Sequence, residues 1–223
     1  MKKIIGILGL GLFGSAIAQT LAENDYDVIA VDKNTSHVNE LSPYITKGVV
    51  GDITDLDLLE TIGISDCDTV VVSTGTVLEA SVLAVMHCKK LGIPEIIVKA
   101  KNSMYKEVLM KIGATQVILP EFDTGVRLAK KLMRNSIHDI FELDDKTSII
   151  EFEAPPKWIG KNLRELDLRN RYEINIIGMR TDKDAPVNVG VLADTVVEKD
   201  IILLGVTESD YFERQDYLEE PID

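Results

Sequence analysis

Two cysteines and three histidines are all that 223 residues carry of the side chains most used as metal ligands and nucleophiles. Cys67 and Cys88 fall in no metal-ligand spacing, and two thiols make no disulfide framework; they read as reduced residues of a cytosolic protein. His37 falls where a second helix begins and His87 in mid-helix, so both read as surface or packing residues. No Tyr-x-x-x-Lys spacing occurs. Positive charge is scarce too: 24 Lys+Arg stand against 37 Asp+Glu, a net charge of −13. That balance disfavours non-specific binding to nucleic acid or anionic lipid, because no excess of cations displaces counterions from phosphates. Internal repeats and low-complexity tracts are absent from the sequence.

One long apolar run is present. After Lys2 and Lys3, no charge occurs from Ile4 to Ala22, and Ala16-Ile17-Ala18 resembles a signal cleavage site. About 20 apolar residues would also cross a bilayer. Glycines at 6, 9, 11 and 14 argue against a hydrophobic helix, since each costs about 1 kcal/mol relative to alanine. Ser15, Gln19 and Thr20 dilute the run, and its periodicity changes midway. Ile4 to Leu8 reads as a strand buried on both faces. Phe13, Ile17 and Leu21 then recur every fourth residue, as on one helix face. Asp27 to Val31 is a second apolar run, closed by Asp32. Read this way, no transmembrane or secretory segment remains.

The turn between strand and helix, Gly9-Leu10-Gly11-Leu12-Phe13-Gly14, fits G-x-G-x-x-G. Gly9 permits the tight turn, Gly11 lets a phosphate approach the backbone, and Gly14 lets helix and strand pack closely. The helix N-terminus offers unpaired N–H groups to phosphate. Asp32 follows where an acid accepts hydrogen bonds from ribose hydroxyls and disfavours a 2′-phosphate. The pattern points to a nucleotide without naming it.

The strand–helix beat continues. Strands are expected at 47–50, 68–73, 96–100 and 116–119. Helices are expected at 54–61 (capped by Thr54 and Asp57), 78–91, 105–112 and 121–135. Such alternation predicts an α/β fold, a Rossmann-like doubly wound parallel sheet. Its ligand end would gather Gly9, Asp32, Gly51-Asp52, Thr74-Gly75, Lys99-Ala100 and Pro120-Glu121. A small α+β module follows, with strands at 148–152, 174–179 and 201–206, a helix at 163–168 and a solvated end at Glu219-Glu220-Pro221. The expected domains are 1–135, including a connecting helix, and 136–223. Residues 140–223 contain no His and no Cys. Hydride transfer usually draws on a proton donor beside the nicotinamide, most often histidine, so the nucleotide reads as a signal rather than a reagent.

The motifs GLGLFG (9–14), VDKN (31–34), GDIT (51–54), VVVSTG (70–75), IIVKA (96–100), KIGATQVILPE (111–121) and DLRNRYEINIIGMR (167–180) together resemble the TrkA/KtrA family, cytosolic regulatory subunits of Trk/Ktr-type potassium uptake systems. The resemblance implies an RCK N domain and an RCK C domain. It implies a non-enzymatic, cytoplasmic chain that binds ATP, ADP or NAD(H). Homodimers would assemble into a ring, typically an octamer, docked on a TrkH/KtrB-type membrane subunit. By resemblance, Gly9, Gly11, Leu12, Phe13 and Gly14 meet phosphate, and Asp32, Lys33 and Asn34 meet ribose or adenine. Gly51, Asp52, Ile53 and Thr54 lie near the base, Thr74 and Gly75 near the phosphate path, and Lys99 and Glu121 at the edge. Glu121 is implied near a bridging divalent cation across the dimer; its plainer reading is an acid favoured by a helix N-terminus. Leu12 departs from the arginine many ATP-responsive members carry. The resemblance also implies cyclic di-AMP at a C-domain dimer interface. Arg169 and Asn175 would meet phosphate, Leu163, Leu168, Ile174 and Ile176 would pack on adenine, and Asp167 and Asn170 complete the set. The alternative there is an Asp167–Arg169 surface pair over a plain core. For the whole chain, the alternatives are a small NAD-dependent oxidoreductase and a scaffold for another transporter.

Overall fold

The computed structural model describes residues 2–74, 77–133 and 136–208, and the chain packs as two units, Met1–Asp123 and Thr124–Asp223. Gly75, Asn135 and the terminal 219–221 run lie outside the described residues.

The first unit alternates strand and helix: β1 (Ile4–Leu8), α1 (Leu12–Glu23), β2 (Asp27–Asp32), α2 (Thr35–Leu41), β3 (Lys47–Val50), α3 (Leu56–Ile62), β4 (Thr69–Val72), α4 (Leu78–Lys90), β5 (Glu95–Lys99), α5 (Ser103–Ile112), β6 (Gln116–Ile118) and α6 (Pro120–Leu132). All six strands are parallel, in the order β3-β2-β1-β4-β5-β6. Parallel strands need crossovers, and the helices bury both sheet faces, which is why β1 and β4 are apolar almost throughout. One core holds Leu8, Val31, Leu59, Val70, Val85 and Ile96. The other holds Ile5, Ile7, Val28, Ala30, Val38 and Leu41. The order reverses between β2 and β4, so α1 and α4 leave the sheet on either side of β1 and open a crevice at its C-terminal end.

The second unit adds β7 (Ile137–Glu142), β8 (Thr147–Glu153), α7 (Leu163–Leu166), α8 (Leu168–Tyr172), β9 (Asn175–Arg180) and β10 (Ile202–Glu208). The strands form an antiparallel sheet in the order β7-β8-β10-β9. Its core is Ile150, Phe152, Trp158, Leu168, Ile174 and Leu203, with Trp158 edge-on to Phe152 at 6.0 Å.

Four details differ from the sequence expectation. Strand β7 was not anticipated. The 163–168 helix is two helices, because Asp167 takes a left-handed conformation (φ 46°) between them. Asp55 rather than Thr54 caps α3, accepting from the Leu58 N–H, while Thr54 turns back on Asp52. The division between units falls within α6, whose later residues join the second unit: Arg127 lies 3.6 Å from Asp139 and 4.9 Å from the Phe141 ring, and Lys130 pairs with Glu142.

Candidate functional site

The glycine turn is locked by contacts that leave it no freedom. Gly9 has φ +103°, and its N–H donates to Val31 O at 2.8 Å. A Cβ on Gly14 would stand 2.0 Å from Gly9 O and 2.5 Å from Ser73 Oγ, so only glycine lets α1 start this close to β1. Gly11 is the opposite case. Nothing lies within 4 Å of where its Cβ would be. It caps α1 without a side-chain hydrogen bond, and no acid occupies the first turn. An uncapped helix start beside open backbone is a seat for an anion, with unpaired N–H groups and the positive dipole end toward it. The residues present therefore fit a nucleotide phosphate.

Two residues fix the turn from neighbouring strands. Ser73, just past β4, donates from Oγ to Gly9 O at 2.5 Å and lies 3.3 Å from Leu8 O. Asp32, the last residue of β2, accepts from the Leu10 N–H (2.5 Å) through Oδ2 and from the Asn34 N–H (2.7 Å) through Oδ1. Each carboxylate oxygen keeps a lone pair, so Asp32 retains acceptors for ribose while bracing the turn. Asn34 caps α2 by accepting from the Ser36 N–H. His37 Nδ1 lies 3.6 Å from Asp32 Oδ2, and His37 Nε2 lies 3.2 Å from Asn34 Nδ2.

Beyond β3, Asp52 Oδ1 accepts from the Thr54 N–H (2.9 Å) and hydroxyl (2.7 Å), and Lys33 pairs with Oδ2 at 2.9 Å. The Thr54 N–H, then Lys33, hold the Asp52 carboxyl down from 3.8 to about 2. Lys33 is thus engaged away from the glycine turn and does not replace the arginine missing at Leu12. Leu12 itself is 97% exposed. Ile53 is buried in the core, so its side chain is not available to a ligand. A Cβ on Gly51 would meet Leu58 Cδ2 at 2.2 Å. Thr74 Oγ1 lies 3.3 Å from Ser81 Oγ. His87 Nε2 donates to Thr54 O at 3.0 Å, tying α4 to the loop after β3.

At the far side, Lys99 ends β5 with its ammonium 5.7 Å from the Phe13 ring and paired with Glu121 in the first turn of α6. That bond from Lys99 lowers the Glu121 carboxyl below its ordinary value. Among the described residues no group of three His, Cys, Asp or Glu is placed to hold a metal. Glu121 alone does not make a metal site.

In the second unit, seven of the eight residues expected to bind a cyclic dinucleotide line one groove of about 310 Å³: Leu163, Asp167, Leu168, Arg169, Ile174, Asn175 and Ile176. Asn170 is outside it, donating from Nδ2 to Asp167 Oδ1 at 2.7 Å. Asp167 therefore pairs with Asn170 rather than Arg169. Leu168 and Ile174 are buried in the core, whereas Arg169 and Asn175 are exposed. Sequence reading missed Ser73, whose role depends on β4 lying beside β1, and assigned His37 and His87 no part in this crevice. It also missed the groove residues Arg164 and 191–193. No helix among the described residues is long and apolar enough to cross a membrane.

Residues 5–120 match the TrkA-N domain. The chain is 36% identical over 218 residues to Ktr system potassium uptake protein C of Bacillus subtilis (strain 168), covering 96% of this chain and 98% of that protein. It is 33% identical over 203 residues to Ktr system potassium uptake protein A of the same organism, covering 91% of each. Among solved structures it is similar to the GsuK channel bound to NAD, with a TM-score of 0.69 and 19% identity, over 100% of this chain and 41% of that one; at such identity the likeness concerns the fold alone. By domain and by whole-length identity, the chain belongs to the TrkA/KtrA family, that of the Ktr and Trk system potassium uptake proteins.

Proposed function

We propose that this chain is a nucleotide-binding regulatory subunit of a membrane potassium uptake system. The observation that carries the nucleotide part is the glycine turn: open backbone at Gly11, an uncapped α1 and a braced Asp32 meet at the C-terminal ends of β1 and β2. Potassium uptake comes from the family, whose named members share nearly the whole chain. An adenine nucleotide, ATP, ADP or NAD(H), lays its phosphates on Gly9, Gly11 and Gly14. Its ribose meets Asp32 and Asn34, its base lies toward Asp52 and Thr54, and any phosphates beyond the first two run toward Thr74, Lys99 and Glu121. A divalent cation near Glu121 would need further oxygens from the phosphates or a second copy of the chain. The nucleotide is a signal: it shifts a homo-oligomeric ring, an octamer by family likeness, between shapes that the TrkH/KtrB-type subunit reads at the cytoplasmic membrane face. Only differential affinity for the two shapes moves that balance. Cyclic di-AMP acts on the same balance from the second unit. There Arg169 and Asn175 offer donors beside Leu163 and Ile176, along one groove.

The test is reconstitution with the membrane subunit in vesicles and measurement of potassium flux while ATP, ADP, NADH and cyclic di-AMP are titrated. Flux that responds to an adenine nucleotide, and loses the response in Gly11→Val, is the expected result. Flux indifferent to all four ligands would refute the sensor reading, and steady NADH turnover with a carbonyl substrate would revive the oxidoreductase.

A further inference from the structure

The groove of the second unit carries one more cation than the reading above uses. Arg164 lines it together with Arg169, and Val191, Leu192 and Ala193 complete the wall. Those three residues arrive on a tight turn. The Thr195 N–H donates to Leu192 O, and the Leu192 N–H donates to Thr195 Oγ1, each at 2.9 Å. Two backbone bonds hold the turn against the start of α7: Arg164 N–H to Ala193 O (2.8 Å) and Leu163 N–H to Thr195 O (3.1 Å). Asp194 projects from the same turn and accepts from Arg164 Nε at 3.1 Å.

The pair is easily exchanged. Both side chains are largely exposed, 68% and 76%, and exposed ion pairs contribute little. The contact uses Nε, and among the described residues Arg164 has no other side-chain partner. A phosphodiester offers guanidinium two parallel charge-assisted bonds in place of that single one. Arg169 has no partner among the described residues. We propose that Arg164 is a second anion-binding arginine of this groove, held by Asp194 until a cyclic dinucleotide phosphate takes it over. The inference rests on the cyclic dinucleotide reading of the groove. Asp194 then acts as an internal competitor: its carboxylate occupies the cation the ligand needs and repels the incoming phosphate. Because the same turn carries Val191 and Leu192, release of Arg164 frees the side-chain tie of one groove wall while its backbone bonds remain.

The experiment is calorimetric titration of the full chain and of three variants with cyclic di-AMP. Arg164→Gln is expected to weaken binding roughly tenfold, the loss of about one charge-assisted bond. Arg164→Lys should recover part of that loss. Asp194→Asn should tighten binding roughly two- to fivefold. Thermal midpoints of all variants establish folding. If Arg164→Gln binds as the unaltered chain does, or Asp194→Asn binds more weakly, the Arg164 assignment is wrong and the groove reading survives. If neither the unaltered chain nor Asp194→Asn binds, both are wrong, since the latter is the variant expected to bind best.

Discussion

Leu12 stands at the tip of the glycine turn with almost no protein around it. Its replacement therefore changes chemistry without touching packing. Leu12→Arg is expected to leave the thermal midpoint unchanged and to tighten ATP more than ADP by roughly tenfold, since a guanidinium gains its strongest bonds from the terminal phosphate. Calorimetry with both nucleotides decides it; equal gains would show that position 12 does not reach that phosphate. The two glycines beside it separate folding from binding. In Gly14→Ala the added carbon collides with Gly9 O at 2.0 Å, and the backbone on either side cannot yield. Overpacking of that kind costs about 1–3 kcal/mol or more, read as a fall of several degrees in thermal midpoint together with lost nucleotide binding. Gly11→Ala meets nothing. It should keep the midpoint and weaken only the nucleotide, because in the proposed binding mode its methyl group takes the phosphate's place. A matched loss of stability in both variants would mean that the turn, not the ligand seat, is what Gly11 serves.

Among elements, the strands that the sequence predicted best are the ones buried on both faces. β1, β2 and β4 announce themselves as apolar runs, as does β5 with one face less buried; α1 shows by its four-residue recurrence, and Gly63 and Gly113 mark the ends of α3 and α5. β7 escaped because Ile-His-Asp-Ile-Phe-Glu is half exposed and carries a register shift, so neither alternation nor a solid run shows. The break at Asp167 escaped because a left-handed aspartate has no spacing signature. Local pattern found the glycine turn and Asp32, whereas Ser73, 64 positions from Gly9, is visible only once β4 pairs with β1. The loops after β2 and β3 are joined by Lys33 and Asp52, and this junction is pH-sensitive. Asp52 titrates lower in the fold than its ordinary 3.8, so its contribution is present above 3.8 and is lost as pH falls toward about 2. Both side chains are substantially exposed, which keeps the effect small. Asp52→Asn should flatten the fall of the thermal midpoint across that acid window and leave the neutral-pH slope alone. An unchanged acid limb would mean that the carboxylate is equally free in both states.

At the scale of the whole molecule, each unit has its own hydrophobic core: two faces of a parallel sheet in one, one antiparallel sheet with Trp158 in the other. Both cysteines belong to the first. Burial pushes the Cys67 thiol up to about 11 and the Cys88 thiol up to about 12, so neither forms much thiolate in the native fold. A thiol reagent near pH 8 should therefore label the chain only through opening of the first unit, far more slowly than after denaturation. A ligand that binds the closed form slows such labelling by the factor 1 + [L]/Kd when reclosing is fast, about a hundredfold at a hundred times Kd. An adenine nucleotide is expected to protect both thiols in this way. Cyclic di-AMP, on the binding proposed for the second unit, should leave their rate unchanged while raising the unfolding midpoint of the second core, followed through the single tryptophan, Trp158. The two readouts are independent because no cysteine lies in the second core and no tryptophan in the first. Protection of the thiols by cyclic di-AMP would instead mean that the units open together, and the two ligands would then be coupled through folding itself rather than through a change of ring shape.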